Sequence, residues 1–138
     1  MEKKTILYID GACRGNPGPG AIGIVIQDGN NRLQISKCVG DTTNNQAEYQ
    51  ALITAIEEAL KMGARHLDIR TDSELLARQI QKTYRVKNAK LKPLYEKANQ
   101  LLRRVDSYTI THIPREKNTI ADGLANKALD QKRADRSQ

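Results

Sequence analysis

Four carboxylates stand where a folded chain has little ordinary use for them. Asp10 closes a short apolar run, Thr5-Ile6-Leu7-Tyr8-Ile9, and precedes a dense cluster of Gly, Pro and Asn. The run reads as a buried strand, and an acid at its end is costly to desolvate unless a cation meets it. Glu48 lies one turn before Ala51 and Leu52, on the apolar face of a helix or at its edge. Asp72 ends an alternating segment at 66–71, and Asp122 falls in the first turn of the last helix. Each has a plain alternative: Asp10 capping a turn, Glu48 and Asp122 complementing helix dipoles. Four such placements in a chain of net charge +7 are harder to set aside. Close carboxylates repel and raise each other's pKa unless cations intervene. Oxygen ligands without Cys or His suit Mg²⁺ or Mn²⁺. Two such ions about 3.5–4 Å apart support phosphodiester cleavage.

The elements that must hold these acids follow from periodicity. Strands are expected at 4–10, 20–28 and 31–40, the last two joined by the hairpin signal Asp28-Gly29-Asn30-Asn31. Polar residues 41–45 cap a helix from about 45, where Ala47, Ala51, Leu52, Ala55, Ile56, Ala59 and Leu60 recur at helical spacing up to Gly63. A strand at 66–71, a helix from 73 or 74 to about 82 and another at 91–104 come next. A strand at 107–113, stopped by Pro114, and a helix at 119–130 capped by Asn118 complete the order β-β-β-α-β-α-α-β-α. The hairpin leaves the first strand free to pair with the fourth through a right-handed crossover. The expected fold class is therefore α/β: a mixed five-stranded sheet, three antiparallel strands and then parallel ones, flanked by helices. Asp10 and Asp72 would end neighbouring strands at the edge where open α/β sheets hold ligands. One domain is expected over 1–130, with 131–138 as a disordered tail that has nothing to bury.

Composition bounds the partners. With 138 residues, 38% hydrophobic content and no long apolar run, the chain suits one domain and no membrane contact. The first four residues lead straight into a strand without an apolar h-region, so a cytoplasmic location is the expectation; a monomer is expected as well. Cys13 and Cys38 lack zinc-site spacing and are expected as free thiols, a pairing between them staying open. Residues 82–104 carry eight basic side chains against one acid, Glu96, an excess equal to the whole net charge of +7. Such a run is either a solvated face or the footprint of a polyanion such as nucleic acid.

Four stretches carry a resemblance. Tyr8-Ile9-Asp10-Gly11 with Gly15-Asn16-Pro17-Gly18, Thr42-Thr43-Asn44-Asn45-Gln46-Ala47-Glu48, Thr71-Asp72-Ser73, and Asn118-Thr119-Ile120-Ala121-Asp122 occur in that order. In this the chain resembles type 1 ribonuclease H over nearly its full length. It is similar to the short archaeal-type and bacterial forms that lack a basic protrusion or hybrid-binding domain. The resemblance implies the ribonuclease H-like fold and a metal centre of Asp10, Glu48, Asp72 and Asp122 holding two Mg²⁺ ions, with Mn²⁺ as substitute. It implies endonucleolytic hydrolysis of the RNA strand of an RNA/DNA hybrid, leaving 5′-phosphate and 3′-hydroxyl ends. Asn16, Asn44 and the backbone near Gly11 are then placed at the minor groove or ribose, where 2′-hydroxyls mark RNA. Thr43 and Asn45 match positions that hold a DNA-strand phosphate. Ser73, beside Asp72, and Lys87 and Lys90 of the basic run complete the expected substrate contacts. Turn formation by Asn16 and helix capping by Thr43 to Asn45 are compatible second roles.

Three features depart from the commoner family pattern. The histidine that many members carry in a flexible loop before the last acid has no clear counterpart. His112 falls inside a strand, so Arg115 is the expected auxiliary residue, with His112 and His66 structural. Glu74 stands where glutamine is common. The basic run holds no Trp and is short, so salt-sensitive hybrid binding by its lysines is expected. Cleavage of double-stranded RNA as well, or a non-catalytic hybrid- or RNA-binding module, are the alternatives.

Overall fold

The computed structural model describes residues 3–136. A hairpin of β2 (Gly18–Asp28) and β3 (Asn31–Thr42) lies beside β1 (Thr5–Cys13), with all three antiparallel. α1 (Asn44–Lys61) then crosses over to β4 (His66–Thr71), which pairs parallel with β1. α2 (Glu74–Ile80) and α3 (Lys92–Leu102) lead to β5 (Ser107–His112), parallel to β4, and α4 (Thr119–Arg136) follows. The sheet order is β3-β2-β1-β4-β5, five strands with the antiparallel part on one side.

Alternation along β1 and β2 builds two faces. Leu7, Ile9, Ile22, Ile24 and Ile26 are fully buried in the large core, with Leu52, Ile56 and Tyr49 of α1. Each such aliphatic contributes about 1.5–3 kcal/mol by leaving water. Inside this core the Tyr49 hydroxyl donates to Gln79 Oε1 of α2 at 2.6 Å, so both polar ends are satisfied. The other face is covered by α4 through small residues, Ala12, Ala21 and Ala128 with Leu129 and Cys38.

Two glycines set how close the helices come. A Cβ on Gly11 would lie 2.4 Å from the backbone of Ala47 and Glu48, so only glycine lets α1 sit against β1 there. A Cβ on Gly23 would lie 1.9 Å from the Ala121 carbonyl oxygen, so α4 packs backbone to backbone on β2. Both contacts involve the residue before an acid or the acid itself, Glu48 on α1 and Asp122 on α4.

The element order matches the expectation, while several boundaries differ. β1 does not end at Asp10 but continues to Cys13, because its ladder with β2 runs on to Cys13 opposite Gly20 after the pairing with β4 has stopped at Ile9 opposite Thr71. α2 is shorter than the expected span, ending at Ile80. α4 runs to Arg136, correcting the structureless tail expected from 131; its last turns hold no Gly or Pro and are rich in good helix formers. Positions 137 and 138 of that tail lie outside the described residues. Among the described residues, no helix is long and apolar enough to cross a membrane.

Candidate metal centre and nucleic-acid interface

The acids meet where the sheet divides. At Asp10 the parallel partner β4 has left β1 while β2 continues, and Asp72 follows the last residue of β4. α1 begins at a capping box, Thr43 Oγ1 accepting from Gln46 N and the Gln46 side chain accepting from Thr43 N. This start, with the close approach at Gly11, delivers Glu48 to β1, where the Gly11 N–H donates to Glu48 Oε1 at 3.1 Å. Asp10, Glu48 and Asp72 each offer a carboxylate oxygen within 4.8 Å of the others'. Asp122 stands outside that tight group but borders the same cleft, of about 460 Å³, and lies within hydrogen-bonding reach of Asp10 when Asp10 is protonated.

Electrostatics at this point are frustrated. Asp10 and Glu48 are 5% and 8% exposed, so neither charge is well hydrated. Burial foremost, then repulsion from Glu48 and Asp72, pushes the Asp10 carboxyl far above the ordinary carboxylate range. Burial also raises Glu48, opposed by the hydrogen bonds from Gly11 and Asp10. The buried Glu48 Oε2 has no hydrogen-bond partner. An orphaned carboxylate oxygen beside two further carboxylates, with no sulfur or imidazole, fits a hard divalent cation. Asp10, Glu48 and Asp72 could hold one between them, with Asp122 bordering the same cleft.

Other side chains complete the cleft. Arg115, not His112, lines it. His112 is the last residue of β5, paired opposite Thr71, and is held in the sheet. Asn126, one helical turn after Asp122, donates through Nδ2 to the Asp122 carbonyl at 3.0 Å and to its Oδ1 at 3.3 Å. Asn118 is buried, and its Nδ2 donates to the Ile9 carbonyl at 2.8 Å, fastening the start of α4 to the residue before Asp10. Sequence reasoning missed Asn126, although its i, i+4 spacing from Asp122 carried the signal. It gave Asn118 a capping role, whereas the side chain bonds across to another element.

A second cleft adjoins the first through Asn44, which lines both. It holds Asn16, Thr43, Asn45 and Lys90, together with Asn88, which the sequence did not single out. Asn16 Oδ1 accepts from the Asn44 N–H at 3.0 Å, tying the β1–β2 connection to the start of α1. The turn and cap roles therefore coexist with exposure to a ligand. Gly11 spends its N–H on Glu48. Ser73 Oγ accepts from Leu76 N and caps α2, and it lines neither cleft. Glu74 accepts from the Tyr84 hydroxyl and stands outside the acid group.

The basic run divides in space. Lys90 joins the cleft beside α1, Lys87 lines neither cleft, and Lys82 and Arg103 border a separate one with Tyr95 and Tyr108. The single Cys13 S–H lies within reach of the Gly15 and Thr42 carbonyls, and that of Cys38 donates to the Ala128 carbonyl; both are free thiols.

The strand order and the helices on both faces define the ribonuclease H-like class of α/β folds. A family model described as reverse transcriptase-like matches residues 8–128. Ribonuclease HI of Halobacterium salinarum is 42% identical over 125 residues, 89% of this chain and 63% of that protein. Ribonuclease H of Coxiella burnetii is 36% identical over 142 residues, 91% of this chain and 89% of its own. Among solved structures, LC11-RNase H1, isolated from compost, in complex with an RNA/DNA hybrid superposes with a TM-score of 0.86 at 43% identity, covering 93% of this chain and 98% of that one. The chain belongs to the ribonuclease H family. It spans just under two thirds of the Halobacterium relative and 36% of a Mycobacterium bovis protein that it also matches.

Proposed function

We propose that the protein is an endoribonuclease that hydrolyses the RNA strand of RNA/DNA hybrids, using two divalent ions, Mg²⁺ or Mn²⁺ in its place, and leaving 5′-phosphate and 3′-hydroxyl ends. The observation that carries this reading is the Asp10–Glu48–Asp72 group, whose oxygens lie within 4.8 Å of one another around a buried, unpartnered Glu48 Oε2. Four close acids repel a phosphodiester unless cations sit between them, so the group is poised for catalysis only in metal-loaded protein. Bound there, a hard divalent ion supplies Lewis acidity at the scissile phosphate.

The chain's own residues do the rest. The Gly11 N–H and Asn126 hold Glu48 and Asp122 in place. Arg115 presents a fixed positive charge to the phosphate from the rim of the acid cleft. Asn44, shared by both clefts, stands between the reacting strand and a phosphate seat for the other strand made by Thr43, Asn45, Asn88 and Lys90. Asn16 and Asn44 offer short polar groups suited to a wide minor groove that displays 2′-hydroxyls.

The test is cleavage of one labelled RNA strand presented in a hybrid, in duplex RNA and alone, with Mg²⁺, Mn²⁺ or EDTA. Hybrid-selective cutting that EDTA stops is the expected result. Equal cutting of duplex RNA overturns the substrate assignment. Binding without cutting overturns the enzyme and leaves a hybrid-binding module.

A further inference from the structure

A cleft of about 210 Å³ that shares no lining residue with the acid cleft opens on the α4 face of the sheet, where the β2–β3 hairpin meets the start of α4. Two cations border it, Arg32 from β3 and Lys117 from the turn before α4, and no carboxylate lines it. Neither cation has an ion-pair partner among the described residues. The first turn of α4 forms one wall. Its first bonded amide is Asp122 N, to the Asn118 carbonyl, so the N–H groups of Thr119, Ile120 and Ala121 have no acceptor among the described residues. The residue expected to cap them, Asn118, turns its Nδ2 to the Ile9 carbonyl, and its Oδ1 accepts from none of them.

Asn118 adds an independent observation. It lines the cleft at 1% exposure, and its buried Oδ1 has no hydrogen-bond partner. A buried acceptor left bare is costly, and a ligand donor would satisfy it. The site thus asks for two things at once. Free helix amides and two cations select an anion with several acceptor oxygens, such as phosphate. Asn118 Oδ1 asks for a hydroxyl or amine donor on the same ligand. Ile120, 47% exposed, offers apolar surface to its organic part. The volume is below the roughly 300 Å³ at which sites for drug-sized ligands begin.

We propose that this cleft is a second ligand site, which binds the ribose-phosphate unit of a 5′-nucleotide. The phosphate lies between Arg32, Lys117 and the α4 amides, and a ribose hydroxyl donates to Asn118 Oδ1. The ligand is either a free mononucleotide or the 5′-phosphorylated end of a short RNA. The site does not depend on the cleavage reading, because it shares no residue with the acid cleft.

Amide chemical shifts of the full chain, with and without Mg²⁺, test it during titration with adenosine 5′-monophosphate, adenosine, inorganic phosphate and a 5′-phosphorylated RNA tetramer. The expected result is a shift of the Thr119, Ile120 and Ala121 amides by the monophosphate with a Kd of about 1 mM or tighter, the same in both conditions. Arg32→Ala and Lys117→Ala, both at exposed positions, each weaken it about tenfold while the remaining spectrum stays unchanged. Matching shifts from the tetramer assign the RNA end as the source, and shifts from the monophosphate alone assign the free nucleotide. The proposal is overturned if these amides stay still up to about 10 mM, if adenosine or inorganic phosphate binds equally well, or if both variants bind as the parent does.

Discussion

Gly23 stands directly opposite Asp10 in the β1–β2 ladder, and the backbone of Ala121, the residue before Asp122, occupies the space that its side chain would fill. One missing Cβ thus links two of the acids: it lets α4 lie on the sheet closely enough for Asp122 to border the cleft that Asp10 forms.

Gly23→Ala puts a Cβ 1.9 Å from a backbone oxygen, which no rotamer can relieve. α4 must move outward. The expected cost is about 1–3 kcal/mol or more in denaturant unfolding. Cleavage falls on the order of 100-fold in protein that is still folded, since a displacement near 1 Å at a reacting group costs that much. Unchanged activity in a folded Gly23→Ala protein would show that Asp122 does not need this packing.

Asp10→Asn removes one charge from the acid group and keeps its shape. Cleavage should drop on the order of 10³-fold or more while hybrid binding survives. Metal-free protein should become more stable, because a neutral amide replaces a buried acid that Glu48 and Asp72 repel. Calorimetric metal titration and thermal unfolding of one preparation check both effects. Retained cleavage rejects the metal assignment.

The pH dependence has a definite sign. Asp10 and Glu48 have folded-state pKa values raised above those of an unfolded chain. Groups raised in this way bind more protons folded than unfolded. Their contribution is complete below the ordinary carboxylate pKa of about 4 and is lost as pH rises from there through the raised values. Metal-free protein should therefore lose stability from these groups between mildly acid and alkaline pH. Added Mg²⁺ should raise the Tm more at pH 8 than at pH 5, since it replaces those protons. An equal Tm gain at both pH values would count against a carboxylate metal site.

Lys90 shares the second cleft with Asn16, Thr43 and Asn45. Lys90→Ala should weaken binding of a hybrid about equally for all sequences and lower the slope of log K against log salt by about one. Lys82→Ala, whose ammonium lies 5.9 Å from the Tyr95 ring centroid on another surface, should leave that slope unchanged. Fluorescence anisotropy at several salt concentrations distinguishes the two variants.

Much of the site is readable because its signals are local. Helical spacing places Glu48 near an apolar stripe, the Thr43 cap marks where α1 begins, and Asp72 ends an alternating strand. Asn126 lay within the same local grammar, one turn after Asp122, yet polar residues at that spacing are common on exposed helix faces. Asn118 was legible only as a cap, since its real partner, the Ile9 carbonyl, is 109 residues away in the chain. The basic run looked like one surface because it is continuous in sequence. The turn between α2 and α3 sends Lys90 toward α1 and leaves Lys82 with Arg103.

Periodicity, turn residues and the four acids determined the element order, the mixed sheet and the set of residues able to hold a metal. These are matters of spacing along the chain. Tertiary structure alone decided that Asp10 sits within β1, at the point where β4 has departed and β2 has not. It alone decided that Gly11 and Gly23 admit two helix backbones from opposite faces, so that Glu48 and Asp122 converge on one strand. The physical reason is that ladder lengths and close approaches depend on which elements become neighbours. A glycine reads the same in sequence whether solvent or a helix stands where its side chain would be.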